Sequence, residues 1–126
     1  MVEAVQKKFQ AEIDKFKQTE KDKEKIITLR QQLEAQLTEN NLVKEEMDRL
    51  EADATLYKLI GPVLVKQDLE EGKQNVAKRL EYINGEIKRQ EKALSDVNSQ
   101  QESLKESLTK LQTQFQQAQV KAALKA

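Results

Sequence analysis

The sequence lacks the residues on which many catalytic and metal sites depend. It contains no cysteine, histidine or tryptophan. Without cysteine and histidine a chain has no thiol nucleophile, imidazole base, disulfide bond or usual zinc ligand. The remaining residues show no catalytic arrangement. We therefore predict that the chain is not an enzyme, that it has no catalytic residue, and that it binds neither a metal nor another cofactor.

Helix-breaking residues and long apolar runs are also scarce. The 126 residues include three glycines and one proline, and 35% of them are charged. This composition is typical of long helices rather than of a compact globule, and its length suits a single domain over residues 1–126. No stretch approaches the roughly 20 apolar residues of a membrane helix, and the first ten residues do not resemble a signal peptide. We expect a cytoplasmic protein with no membrane partner.

Charge of one sign does not predominate. The chain has 22 basic and 22 acidic side chains, which gives a formal net charge of zero. Because the two signs are mixed along the sequence, no basic face stands ready to neutralise a row of phosphates. We expect no nucleic-acid partner.

Both halves of the chain instead carry apolar residues at steps of three and four. The second half keeps this pattern between residues 69 and 122, and the first half keeps it between residues 2 and 50. Such steps predict coiled-coil helices, here residues 1–54 and 68–124. The stripe of the first helix is the wider one, because Leu29, Val43 and Leu50 lie beside the strict heptad line.

Residues 55–67 change to a β-rich pattern and predict a β-hairpin. Gly61 can supply the positive φ of the first turn position and Pro62 the second position, as in a type II′ turn. Asp68, with Glu71 three residues later, marks the start of the second helix. If the chain reverses at Gly61 and Pro62, positions that sum to about 123 face each other, which sets Met47 near Val76.

Both faces of the predicted hairpin are apolar. An isolated two-stranded ribbon cannot bury both faces, and its edges leave backbone N–H and C=O groups unpaired. Hairpins from several chains that close into a barrel would solve both problems. The predicted subunit-assembly residues are Tyr57, Leu59, Ile60, Gly61, Pro62, Val63, Leu64 and Val65. The fold class is therefore mostly α: a long antiparallel coiled-coil hairpin of two helices, joined by a short β-hairpin that enters a multi-subunit β-barrel.

Apolar character returns at the free ends of the two helices, beyond a polar run at residues 17–25. All three phenylalanines of the chain lie there, although Leu, Ile and Val pack best in two-stranded seams. These residues could be the last layers of an ordinary seam, but an aromatic end beyond a polar stretch is better suited to contact with exposed apolar segments. The predicted client-binding residues are Val2, Val5, Phe9, Ile13, Phe16, Leu108, Leu111 and Phe115.

Three segments, residues 33–46, 57–67 and 78–83, resemble the β-type prefoldin subunits, and the likeness extends from about Lys8 to Phe115. The resemblance implies a heterohexamer of α-type and β-type subunits, whose hairpins form a β-barrel base and whose coiled-coil ends hold unfolded clients. It also implies partners: other prefoldin α- and β-type subunits, unfolded or nascent proteins of the actin and tubulin class, and the cytosolic chaperonin that receives these clients. The hexamer itself is expected not to bind ATP.

A second reading is a structural one. A coiled-coil scaffold or tether would use the hairpin to dock on fixed partners, and its helix ends would be ordinary seam layers. A chaperone should suppress the aggregation of unrelated denatured proteins, whereas a scaffold should not.

Overall fold

The computed structural model describes residues 2–125, so Met1 and Ala126, the two ends of the predicted domain, lie outside the described residues. The elements follow in the order α1 (Val2–Asp48), β1 (Leu56–Ile60), β2 (Val63–Gln67) and α2 (Leu69–Lys125). Two long helices joined by an antiparallel hairpin are the mostly α fold that the sequence predicts, and this prediction is confirmed.

Helix α1 ends at Asp48 rather than at residue 54. The backbone N–H of Arg49 is shared between carbonyl oxygens three and four residues earlier, at 3.2 and 3.3 Å, so the last turn tightens. The last turn contains no basic residue, and the carboxylates of Glu45 and Glu46 lie near the negative end of the helix dipole. Continuing the helix through Glu51 and Asp53 would add further unfavourable charge at that end.

The hairpin has the predicted two-residue turn. Ile60 pairs with Val63, which leaves Gly61 and Pro62 between the strands. Gly61 has φ 57°, and no other residue in the described part of the chain has a positive φ. A positive φ at the first turn position alone is the signature of a type II′ turn, whose twist matches that of the flanking strands.

Helix α2 begins directly after the hairpin, with Asp68 at the position before its first residue. The N–H of Gly72 donates to the carbonyl of Asp68 at 2.9 Å, which closes the first turn. Glu70 and Glu71 lie in this turn and Lys125 lies in the last one. Both placements complement the helix dipole.

The chain divides into two compact units. The first comprises the described residues of Met1–Thr28 and Glu91–Ala126, and the second is Leu29–Gln90. The core of the second unit has two clusters of buried residues; Leu37 packs against both, and Leu56 packs against the second. The clusters are Leu33, Ile83 and Ile87, and Met47, Val76 and Leu80. Met47 and Val76 were predicted to lie near each other, and both belong to the second cluster, so this prediction is confirmed.

The helix register differs slightly from the symmetric one. Met47 and Val76, which share a cluster, have positions that sum to 123, whereas Thr19 and Gln101, which share a hydrogen bond in the first unit, have positions that sum to 120. The two connections to the hairpin also differ in length. Residues 49–55 separate α1 from β1, whereas one residue, Asp68, separates β2 from α2.

Candidate functional site

The hairpin presents the predicted assembly residues to solvent. All eight of them are exposed, and Leu59 and Leu64, at 66% and 64%, are among the most exposed large apolar side chains of the second unit. Burying such side chains stabilises an interface by about 25 cal/mol per Å² of apolar surface removed from water. The second unit therefore carries an unburied apolar surface on a rigid two-stranded element.

The strand register sorts these residues into two faces. Leu59 opposite Leu64 and Tyr57 opposite Lys66 share one face, because residues directly paired across antiparallel strands point to the same side. Ile60 opposite Val63 and Lys58 opposite Val65 share the other. Within the described residues the sheet has only two strands, so each strand has one unpaired edge. The addition of strands from other chains would cover the two apolar faces and the two open edges.

Leu56 was not among the predicted site residues, yet it anchors the hairpin to the helices. It is half-buried and packs against the cluster of Met47, Val76 and Leu80. Gly72 makes room for it: a Cβ atom at Gly72 would collide with Leu56 Cδ2 and lie 3.3 Å from Met47 Cε. The glycine at this position, in the first turn of a helix, was the sequence signal for this close approach.

The aromatic end, defined as the eight predicted client-binding residues in the first unit, is half-buried throughout. None of the eight side chains is fully buried and none is fully exposed. Their steps of three and four residues place them along one side of α1 and one side of α2. Together they form an apolar stripe, part of whose surface contacts solvent.

Phe9 and Phe115 lie together in this stripe and line an open cavity of about 310 Å³. Its other walls are the side chains of Gln6, Gln10 and Gln112. Two aromatic rings and three amides in one lining form a surface that can accept an apolar side chain and hydrogen-bond the backbone next to it.

Phe16 borders a second groove, of about 400 Å³, on the flank of the same unit. Lys105 Nζ lies 6.0 Å from the centroid of the Phe16 ring, at the outer limit of a cation–π contact. Ile27 lines the same groove and is exposed. Neither Lys105 nor Ile27 was predicted, because a charged residue beside the seam and an isoleucine next to the seam residue Ile26 give no distinct sequence signal.

A buried polar layer lies next to Phe16. Thr19 and Gln101 are only 2% and 8% exposed, and Gln101 Nε2 donates to Thr19 Oγ1 at 3.2 Å. Thr19 Oγ1 itself donates to the carbonyl of Phe16 at 2.6 Å. Polar residues of the two helices thus meet in one hydrogen-bonded layer, and such a layer favours one register over its neighbours.

Other kinds of site are not evident in residues 2–125. No group of three or more acidic side chains is arranged to hold a metal ion within that range. Neither helix has, in its described length, an apolar segment that could cross a bilayer.

Comparison of the whole chain with known proteins shows which family it belongs to. The prefoldin subunit family model matches residues 10–121. Prefoldin subunit 6 of Homo sapiens and of Bos taurus are each 51% identical over 123 residues, which cover 98% of this chain and 95% of theirs. Prefoldin subunit 6 of Arabidopsis thaliana is 50% identical over 100 residues, or 79% of this chain and 78% of that one.

A solved structure shares the fold. The crystal structure of the prefoldin beta subunit from Thermococcus strain KS-1 superposes with a TM-score of 0.56 and 23% sequence identity, over 88% of this chain and 91% of that one. The resemblance that the sequence predicts is therefore confirmed over nearly the whole length. The chain belongs to the prefoldin family.

Proposed function

We propose that this chain is a subunit of a cytoplasmic, hexameric, ATP-independent co-chaperone, which captures unfolded or nascent proteins and delivers them to the cytosolic chaperonin. Clients of the actin and tubulin class are the ones that the family resemblance implies. The observation that carries the proposal is the presence of two separate apolar surfaces, one in each compact unit, in a chain of the prefoldin family.

The hairpin surface is assigned to assembly. Its apolar side chains are exposed, they lie on both faces of the sheet, and the edges of the two-stranded sheet are open within the described residues. A surface of this kind is a liability in a free protein, because it invites uncontrolled strand pairing. Pairing with the hairpins of other α-type and β-type subunits in a closed barrel would bury both faces and remove the edges.

The aromatic end is assigned to client capture. Its half-buried rings are held in place by the opposite helix, so they offer apolar area at a small cost in side-chain entropy. Burying a Phe completely against a client would contribute about 1.5–3 kcal/mol, and the partial burial available here leaves less for each ring. Several weak contacts of this kind suit a holdase, which must release its client again.

The scaffold reading remains the second candidate, because one observation favours it. Half-burial along the line between two helices is also what the last layers of an ordinary seam would show. The two functions differ in what happens when the aromatic rings are removed. A scaffold would lose a little stability, whereas a chaperone would lose activity.

Phe9→Ser, Phe16→Ser and Phe115→Ser combined, in a complex reconstituted with the other prefoldin subunits, test this difference. The matched control is Ile26→Ser, Leu94→Ser and Val97→Ser, because these are also half-buried seam residues of the first unit. We expect both variants to assemble, since the substitutions lie outside the unit that contains the hairpin.

The readout is suppression of aggregation of a chemically denatured client at equal complex concentration. We expect the phenylalanine variant to suppress aggregation less well than the control variant and the wild type. The aromatic residues of the other subunits are then replaced by serine as well. If the complex with the phenylalanine variant still suppressed aggregation as well as the wild type, the scaffold function would be favoured.

A further inference from the structure

The Phe9–Phe115 cavity at the aromatic end has an uncharged lining. Two phenylalanines and three glutamines line it, in a chain of which 35% of the residues are charged. The groove beside Phe16 in the same unit differs, because four charged side chains line it: Glu20, Lys23, Glu24 and Lys105. A charged group of a bound molecule could find a partner in that groove, whereas the Phe9–Phe115 cavity offers partners to neutral polar groups.

The helix spacing places an amide beside each ring of the cavity. Gln6 precedes Phe9 by three residues on α1, and Gln112 precedes Phe115 by three residues on α2. Residues three apart on a helix are surface neighbours, so each ring has an amide one turn before it. Both rings are half-buried and both glutamines are exposed. The cavity therefore combines fixed apolar surface with amides that a molecule from solvent can reach.

The third amide, that of Gln10, is oriented by a neighbour. Gln10 Nε2 donates to Asp14 Oδ1 at 3.0 Å, which commits the NH2 group and leaves Oε1 as a hydrogen-bond acceptor. Within residues 2–125, Gln6 and Gln112 make no hydrogen bond to another residue, so each can both donate and accept. The lining thus offers both hydrogen-bond functions without charge, and these are the functions that complement the N–H and C=O of a peptide group.

The state of the bound backbone decides whether these amides can be used. In a helix the interior N–H and C=O groups already bond to each other, whereas in an isolated extended segment they are unpaired. Successive side chains of an extended segment point to opposite sides, so one apolar side chain can face the rings. The cavity of about 310 Å³ is at the lower end of the range of about 300–1,000 Å³ for sites that hold small ligands, which suits a short segment.

We propose that the Phe9–Phe115 cavity recognises an extended segment of an unfolded client, by one apolar side chain against the rings and by hydrogen bonds between the client backbone and the lining glutamines. This inference rests on the proposed function, which assigns client capture to the aromatic end, and it names the form in which the client binds. Backbone contacts are independent of client sequence, so they suit the capture of unrelated clients. A segment that folds into a helix loses its unpaired peptide groups, so its affinity for the cavity falls.

The sign of a glutamine-to-leucine effect distinguishes backbone recognition from simple apolar contact. Gln10→Leu adds apolar surface to the lining, so binding by apolar area alone would become tighter. Binding through the Gln10 acceptor would become weaker instead. Gln100→Leu is the matched control, because Gln100 is an exposed residue of the same unit that does not line the cavity. Each variant is reconstituted in the complex with the other prefoldin subunits.

The probe is a short uncharged peptide that contains one photoreactive phenylalanine analogue. It is prepared with a normal amide backbone and, separately, with ester oxygens in place of the N–H groups next to the analogue. A third peptide of the same composition is locked into a helix by a staple. After irradiation, crosslinks to this chain are separated by mass from crosslinks to the other subunits, and the half-saturating peptide concentration is measured.

We expect Gln10→Leu to raise the half-saturating concentration of the amide peptide about fivefold, which corresponds to the loss of one hydrogen bond. The ester peptide should bind Gln10→Leu and the wild type equally, because it has no N–H to donate there. Gln100→Leu should change neither peptide, and the stapled peptide should crosslink to this chain more weakly than the amide peptide. Phe9→Ser combined with Phe115→Ser should remove the crosslinks of the amide peptide to this chain.

Unchanged or tighter binding of the amide peptide by Gln10→Leu would overturn the backbone contacts, and so would equal losses for the amide and ester peptides. A stapled peptide that bound as well as the amide peptide would identify a helix as the occupant and would also overturn them. These three results leave the proposed function intact. Crosslinks that persisted in the double phenylalanine variant, or wild-type complex that suppressed aggregation without any crosslink to this chain, would overturn both this inference and client capture at the aromatic end.

Discussion

Two glycines in the same helix are expected to respond oppositely to substitution by alanine. Gly85 lies in the interior of α2, and a Cβ atom there would meet nothing within 4 Å apart from its chain neighbours and the backbone of its own helix. Gly72 lies in the first turn, where a Cβ atom would collide with Leu56 Cδ2 and approach Met47 Cε to 3.3 Å and Gln67 Oε1 to 3.6 Å. The two sites therefore separate helix propensity from packing.

Gly85→Ala should raise the free energy of unfolding by about 1 kcal/mol, which is the difference in helix propensity between the two residues. Gly72→Ala gains at most the same amount, but it must displace the side chain of Leu56 from its cluster. Overpacking of a well-filled site costs about 1–3 kcal/mol, so the net effect should lie between neutral and about 2 kcal/mol of destabilisation.

A double-mutant cycle with Leu56→Ala isolates the contact. In the Leu56→Ala background the colliding atom is gone, so Gly72→Ala should recover a stabilisation of up to about 1 kcal/mol. The measurement is denaturant unfolding of the isolated chain at fixed concentration, followed by far-ultraviolet circular dichroism. If Gly72→Ala and Gly85→Ala were equally stabilising in the wild-type background, the packing of Leu56 over Gly72 would be refuted.

The remaining predictions concern the polar layer and the hairpin. Thr19→Val should destabilise the isolated chain by about 1–3 kcal/mol, because it leaves the buried amide of Gln101 without its acceptor. Thr19→Val combined with Gln101→Leu should be nearly neutral. Chemical denaturation compares the two variants, and equal losses of stability would contradict the buried hydrogen bond. Ile60→Asp with Val63→Asp should release the chain from the complex, because each buried carboxylate costs several kcal/mol, and co-elution with partner subunits at wild-type stoichiometry would exclude the hairpin from assembly.

The features predicted correctly from the sequence are mostly local ones. The positive φ of Gly61, the two-residue turn and the start of α2 after Asp68 each depend on a few neighbouring residues, so their types and spacing are enough. The end of α1 at Asp48 was not predicted, because no glycine or proline marks it and an excess of negative charge is a weaker signal. The facing of Met47 and Val76 was predicted correctly, because the reversal at Gly61 and Pro62 sets which residues of the two helices lie opposite each other.

The candidate surfaces were predicted unevenly. Exposure of the hairpin follows from its two apolar faces, which no two-stranded ribbon can bury alone. Membership of the aromatic end was predicted from composition, but the cavity between Phe9 and Phe115 requires the actual packing of two helices.

Photo-crosslinking from defined positions tests the central claim most directly, namely that the two compact units serve capture and assembly separately. A photoreactive amino acid is placed at Phe9 in one variant and at Leu59 in another, and each complex is irradiated in the presence of a labelled, chemically denatured client. The account predicts that position 9 crosslinks to the client and that position 59 crosslinks to other prefoldin subunits, with or without client. Client crosslinks from position 59, or their absence from position 9 in a complex that still suppresses aggregation, would contradict it.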